Sequence, residues 1–264
     1  MTETLVQALS YTSLAVVAAL VGGVIAIYRA PGPQMESNVQ HLAAGVVFAA
    51  VAAELLPDIH DQAPTVVVAG FATGVVAMLG IHRLSKLIEK RGIGGNAAGA
   101  AGLIITIAID MLIDGVLIAV TFIEEAATGV IIALALAIEV LFLGVAAVVA
   151  LPDAMGSLRK IAVPALFGAL LTSGVTVGVF TLAGAPETII AFVLAFGAAA
   201  LLYLVTEELL VKAGTVPQTP VSTTPSFVGF LANFLLHIRA SPRAPAPHCP
   251  GRCHPWPAPR SRRT

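Results

Sequence analysis

The sequence predicts an all-α integral membrane protein, built as a bundle of eight helices with a short eighth. Three observations carry that class. Of 264 residues, 58% are hydrophobic and 11% are charged, where a soluble domain carries about a quarter charged residues. The mean hydropathy is +0.94. The apolar residues also fall in runs of the length, roughly 20 residues, that a helix needs to cross a bilayer. A net charge of −1 singles out no partner beyond the lipid bilayer itself, and no nucleic acid is expected.

The N-terminus, MTETLVQALSYTS, lacks the basic region of a signal peptide, so its apolar run at 5–28 reads as a retained helix. Further spans follow at 40–57, 64–82, 98–122, 127–150, 161–183 and 187–211. An eighth run, 227–238, comes after the polar stretch VPQTPVSTTP. At about 1.5 Å per residue its dozen residues fall short of the roughly 30 Å hydrocarbon core. The expected organisation is a transmembrane domain over 1–238 and a tail over 239–264. That tail is rich in proline and arginine, cannot bury a core, and is expected to be disordered. Its abrupt onset inside an apolar run suggests that a reading-frame error replaced the end of the eighth helix. Both cysteines lie in the tail, so no disulfide framework holds the bundle. His248, Cys249, Cys253 and His254 imitate a zinc-site spacing there, and we read them as incidental.

Loop charge gives an orientation. Up to Lys212, the basic residues are Arg29, Arg83, Lys86, Lys90, Arg91, Arg159, Lys160 and Lys212. All lie in or beside connections 1–2, 3–4, 5–6 and 7–8. The alternate connections hold Asp58, His60, Asp61, Glu124, Glu125 and Glu187, with no Lys or Arg. The positive-inside rule places the N-terminus outside and the 3–4 loop in the cytoplasm of a multi-pass cell-membrane protein.

Three acids fall at mid-span: Asp110 and Asp114 in the fourth segment, within AIDMLIDG, and Glu139 in the fifth. An ionised Asp at a helix centre costs roughly 2.5–3.5 kcal/mol, so such residues usually mark a pathway or ligand site. Four residues apart, Asp110 and Asp114 share one helix face, with Thr106 a turn earlier. The fourth and fifth segments are joined by a short acidic turn and must run antiparallel. Asp110 stands twelve residues before the fourth segment ends at 122, and Glu139 twelve after the fifth begins at 127. The three carboxylates therefore reach similar depth. With no mid-membrane Lys or Arg, protonated acids sharing hydrogen bonds are the bland reading. A cation site accounts better for three acids at one depth.

Other residues carry less. Glu54 begins an outer acidic group with Asp58, His60 and Asp61, either a gathering point for incoming cations or a solvated helix end. Glu207 and Glu208 lie near an inner helix end, where Lys212 suits an i,i+4 pair with Glu208. Thr172, Ser173 and Thr176 either line a path or serve helix packing. His41 and His82 look interfacial. VAAELLPD in the second segment and LVTEELLV in the seventh align on their ELL triplets in oppositely directed helices. Segments 1–3 and 6–8 would then be inverted repeats around the pair 4–5, the plan of many secondary transporters.

These residues resemble those of the ZIP (Zrt/Irt-like) metal transporters over roughly residues 5–235, as a divergent prokaryotic-type member. HLAAGVVFAAVAAELLPDI resembles that family's second helix, which ends in Leu-Leu-Pro-acid. DMLIDG resembles its His-Asn-x-Pro-Glu-Gly: Asp110 stands for the histidine, Met111 for the asparagine, Asp114 for the glutamate, and Gly115 is kept. IEVLFLG matches its His-Glu-x-Pro-His-Glu at Glu139, with Ile138 and Phe142 at ligand positions. The resemblance implies an eight-helix ZIP-like bundle, often a homodimer, importing divalent metal towards the cytoplasm. Its metal ligands would be Asp110, Asp114 and Glu139, with Met111 and Glu54 as further candidates and Asp58, His60 and Asp61 at the mouth. Zinc comes first by family. Oxygen-only ligands move preference towards ferrous iron or manganese, and one ion is expected where the family often holds two.

The rival readings are a proton-coupled carrier of another solute, since clustered acids also relay protons, and a transport-inactive homologue that only binds metal. An enzyme is not expected: no His-Glu-x-x-His helix occurs, and the Glu207–Glu208 pair has no mid-membrane histidine to work with.

Overall fold

The computed structural model describes residues 2–29, 32–90, 98–152, 154–214, 216–217 and 223–240. Every regular element among them is helical. We number the helices α1 (Thr2–Tyr28), α2 (Pro33–His60), α3 (Pro64–Lys90), α4 (Ala98–Glu124), α5 (Ala126–Val149) and α6 (Ser157–Leu182). Helix α7 runs from Glu187–Tyr203 through a π-helical turn, Leu204–Leu209, into Leu210–Ala213, and α8 is Thr224–Ala240. The first seven are long and apolar enough to cross a membrane. The eighth, with 17 residues, spans about 25 Å at 1.5 Å per residue.

Several helices outrun their apolar stretches. The second starts at Pro33 rather than residue 40, because Gly32 is extended and proline at the first helical position gives up no hydrogen bond. The third continues to Lys90, adding a polar, basic end that hydropathy does not register. The eighth runs from Thr224 through Arg239 to Ala240, so the helix passes two residues beyond the expected boundary at 238. Residues 241–264, including His248, Cys249, Cys253 and His254, lie outside the described residues, as does the Lys212 side chain.

Helices α2, α4, α5 and α7 hold most of the core, with Val47, Leu55, Ile107, Ile118, Leu136, Val140 and Leu204 fully buried. The others turn apolar side chains outward, such as Val17 and Val21 on α1, Val68 and Val76 on α3, and Val177 and Phe180 on α6. That distribution suits a solvent of lipid. Helix α1 packs on α5 and α6, α4 on α6 and α5, α3 on α7, and α8 on α2. Small residues set the closest crossings. A Cβ on Gly115 would come within 2.8 Å of the Gly174 Cα, so α4 and α6 touch backbone to backbone there.

Among the described residues, two helices carry a π turn, Val51–Leu55 in α2 and Leu204–Leu209 in α7. Such turns are rare, and they are frequent at functional sites. Both fall on the ELL triplets, and they present Glu54 and Glu208.

Candidate metal centre

Helix α4 is uninterrupted from Ala98 to Glu124, so Asp110 and Asp114 keep true i,i+4 spacing on one face. The Gly115–Gly174 crossing presses α4 inward just beside Asp114. Helix α5 returns antiparallel after a single non-helical residue, Glu125, and brings Glu139 to the same level. The result is a compact group of three carboxylates. Asp110, Asp114 and Glu139 each offer an oxygen such that all three lie within 4.8 Å of one another. They are 5%, 1% and 0% exposed.

Charge balance is the central feature of this group. Residues 98–150 contain no Lys, Arg or His. Neither carboxylate oxygen of Glu139 has a hydrogen-bond partner, and Asp114 Oδ2 has none. At separations of 4.8 Å or less, each ionised pair repels by at least about 3 kcal/mol, even at an effective dielectric of about 20. A divalent cation offsets that repulsion and supplies what the unpartnered oxygens lack; protons do so in part. The donors are all oxygen, a set that suits hard or borderline divalent ions.

The remaining predicted residues lie elsewhere. Thr106 is buried a turn below Asp110, and Met111 is fully buried in the apolar core. Glu54 is buried near the far end of α2, with its Oε1 2.6 Å from His237 Nδ1 of α8. It stands outside the three-carboxylate group, bordered by Glu125 of the α4–α5 turn and Thr128 of α5. Asp58 is half-buried, whereas His60 and Asp61 are exposed at the helix end. Thr172, Ser173 and Thr176 donate to carbonyls of their own helix and line a surface groove with Val16 of α1, which favours the packing role. His41 meets Ser226 of α8 at 3.2 Å, and His82 sits edge-on to Tyr203. Glu207 is exposed and Glu208 half-buried.

His237 and Asn233 escaped the reading of the sequence. The signal was present: they are the polar residues of FVGFLANFLLHI, four apart on one face, where polar groups at membrane depth mark function. In comparisons with known proteins, no family model and no curated protein matches the chain.

Proposed function

We propose that the chain carries divalent metal cations across the cell membrane towards the cytoplasm, binding them between Asp110, Asp114 and Glu139, in the manner of a divergent ZIP-type transporter. The observation that carries this reading is the closed three-carboxylate group with no cationic neighbour on α4 or α5. Zinc is the first cargo by resemblance; ferrous iron and manganese fit the oxygen donors. In this reading the α2–α3 and α4–α5 turns face outside, and an ion passes the acids around Glu54 before losing water at the centre.

Inverted repeats are part of the proposal, and the packing supports them. Exchanging α1 with α6, α2 with α7, α3 with α8 and α4 with α5 turns the α1–α5 contact into α6–α4, and α3–α7 into α8–α2. The close crossings follow suit. A Cβ on Gly22 would strike the Leu141 carbonyl and one on Gly144 that of Ala19; for Gly174 and Gly115 the carbonyls are those of Leu112 and Leu171. Counting back five residues from Gly115 and Gly144 gives Asp110 and Glu139. These two ligands are thus equivalent positions on either side of the repeat axis, where such transporters bind cargo.

The test is metal uptake into vesicles reconstituted with the purified protein. Asp114→Asn and Glu139→Gln should each lower uptake at least about tenfold, since even outer-shell losses weaken metal sites by that much. Undiminished uptake of every divalent ion in both variants would remove the site. Flux driven by a pH gradient without metal would favour the proton-coupled carrier, and metal binding without flux the transport-inactive homologue.

A further inference from the structure

A second cluster of ligating side chains lies between α2, α5 and α8, apart from the three-carboxylate group. Glu54 is 4% exposed, and His237 of α8 brings its Nδ1 to 2.6 Å from Oε1. One turn back on the same face of α8 stands Asn233, 2% exposed, with its amide nitrogen unpartnered. One turn on from Glu54, Asp58 turns a buried Oδ2 into the same region without a hydrogen-bond donor. Glu125 of the α4–α5 turn and Thr128 of α5 close the side. No described Lys or Arg is carried by α2, by α5 or by the turns at this end of the bundle.

We propose that Glu54, Asn233 and His237, with Asp58 at the rim, form a second cation-binding site that takes a divalent ion of the zinc class. An asparagine amide presents its oxygen as readily as its nitrogen when rotated. A buried Asn233 whose amide nitrogen is unpartnered is therefore a poor packing residue and a serviceable ligand. The imidazole distinguishes this site from the oxygen-only centre, because nitrogen donors favour zinc over harder ions. The imidazole nitrogen not engaged with Glu54 leaves a donor beyond the contact that joins α8 to α2.

The repeat correspondence gives the cluster a counterpart. Gly229 meets the Leu42 carbonyl of α2 as Gly74 meets that of Phe196 in α7. Counting eight residues on gives His237 in α8 and His82 in α3, while the two π turns pair Glu54 with Glu208. A glutamate and a histidine thus recur at equivalent positions near opposite ends of the bundle. The role of the Glu54 site as the first stop for an incoming ion rests on the transport reading above; its capacity to bind does not.

Zinc titration calorimetry on the purified full-length chain tests the proposal, with His248, Cys249, Cys253 and His254 replaced by alanine or serine to silence the tail. The background carries Asp110→Asn, Asp114→Asn and Glu139→Gln, so any zinc retained is bound elsewhere. One equivalent should remain. Adding Glu54→Gln and His237→Gln, which keeps a side-chain hydrogen bond between the helices, should weaken it at least about tenfold. Asn233→Asp, placing a charged oxygen at the same point, should tighten it. No retained equivalent, or one indifferent to the Glu54 and His237 changes, would overturn the site. Because the centre is already disabled, failure here leaves the transport reading standing, and failure of transport leaves this site standing.

Discussion

Glu139 has no exposed surface and no hydrogen bond to either carboxylate oxygen, which is a costly arrangement unless something else meets those oxygens. Two predictions belong to this scale. In metal-free protein, Glu139→Gln should raise the midpoint of thermal unfolding while abolishing uptake, the opposition expected where function maintains strain. Added zinc at about a hundred times Kd should stabilise the wild type by about 2.7 kcal/mol through mass action. In the tail-silenced chain that also carries Glu54→Gln and His237→Gln, losing the centre should remove most of that gain, and an equal gain after Asp110→Asn, Asp114→Asn and Glu139→Gln would argue against this centre. Uptake should also slow as pH falls. Carboxylate ligands bind metal only when deprotonated, so protons compete for the site and the apparent affinity drops on the acid side. A pH series of initial uptake rates checks the sign; faster uptake in acid would contradict it.

Among the helices, the decisive contacts are backbone crossings at small residues. Gly115 and Gly174 let α4 approach α6 so closely that a side chain at either position meets backbone. Gly115→Leu should cost about 1–3 kcal/mol by overpacking, and should shift α4 enough to weaken metal binding beside it at Asp114. Chemical unfolding in detergent, read with zinc affinity, tests both effects. An unchanged midpoint would mean that the crossing is looser than the structure has it. Helix α8 shows how an element gains its place from packing. Its 17 residues are short for a span, yet Gly229 seats it on α2, and His237 joins it to Glu54.

For the molecule as a whole, the proposed orientation rests on loop charge, and it makes a simple prediction. With the tail cysteines replaced, a cysteine at Gln62 in the α2–α3 turn should react with a membrane-impermeant maleimide added to intact cells. One at Met155, between α5 and α6, should react only after permeabilisation. The reverse pattern would invert the proposed direction of transport.

The sequence by itself determined the number of long apolar helices, their order, and the common depth of Asp110, Asp114 and Glu139. Each of those follows from run length and from counting along antiparallel neighbours. Tertiary structure decided which way the helices face. Depth along a helix is one-dimensional, whereas rotation about its axis depends on where small residues allow neighbours to approach. That rotation brought the three carboxylates within 4.8 Å and sent Thr172, Ser173 and Thr176 to a surface groove. It also paired Glu54 with His237 across 183 residues of chain, a contact that no local pattern of hydropathy or charge specifies.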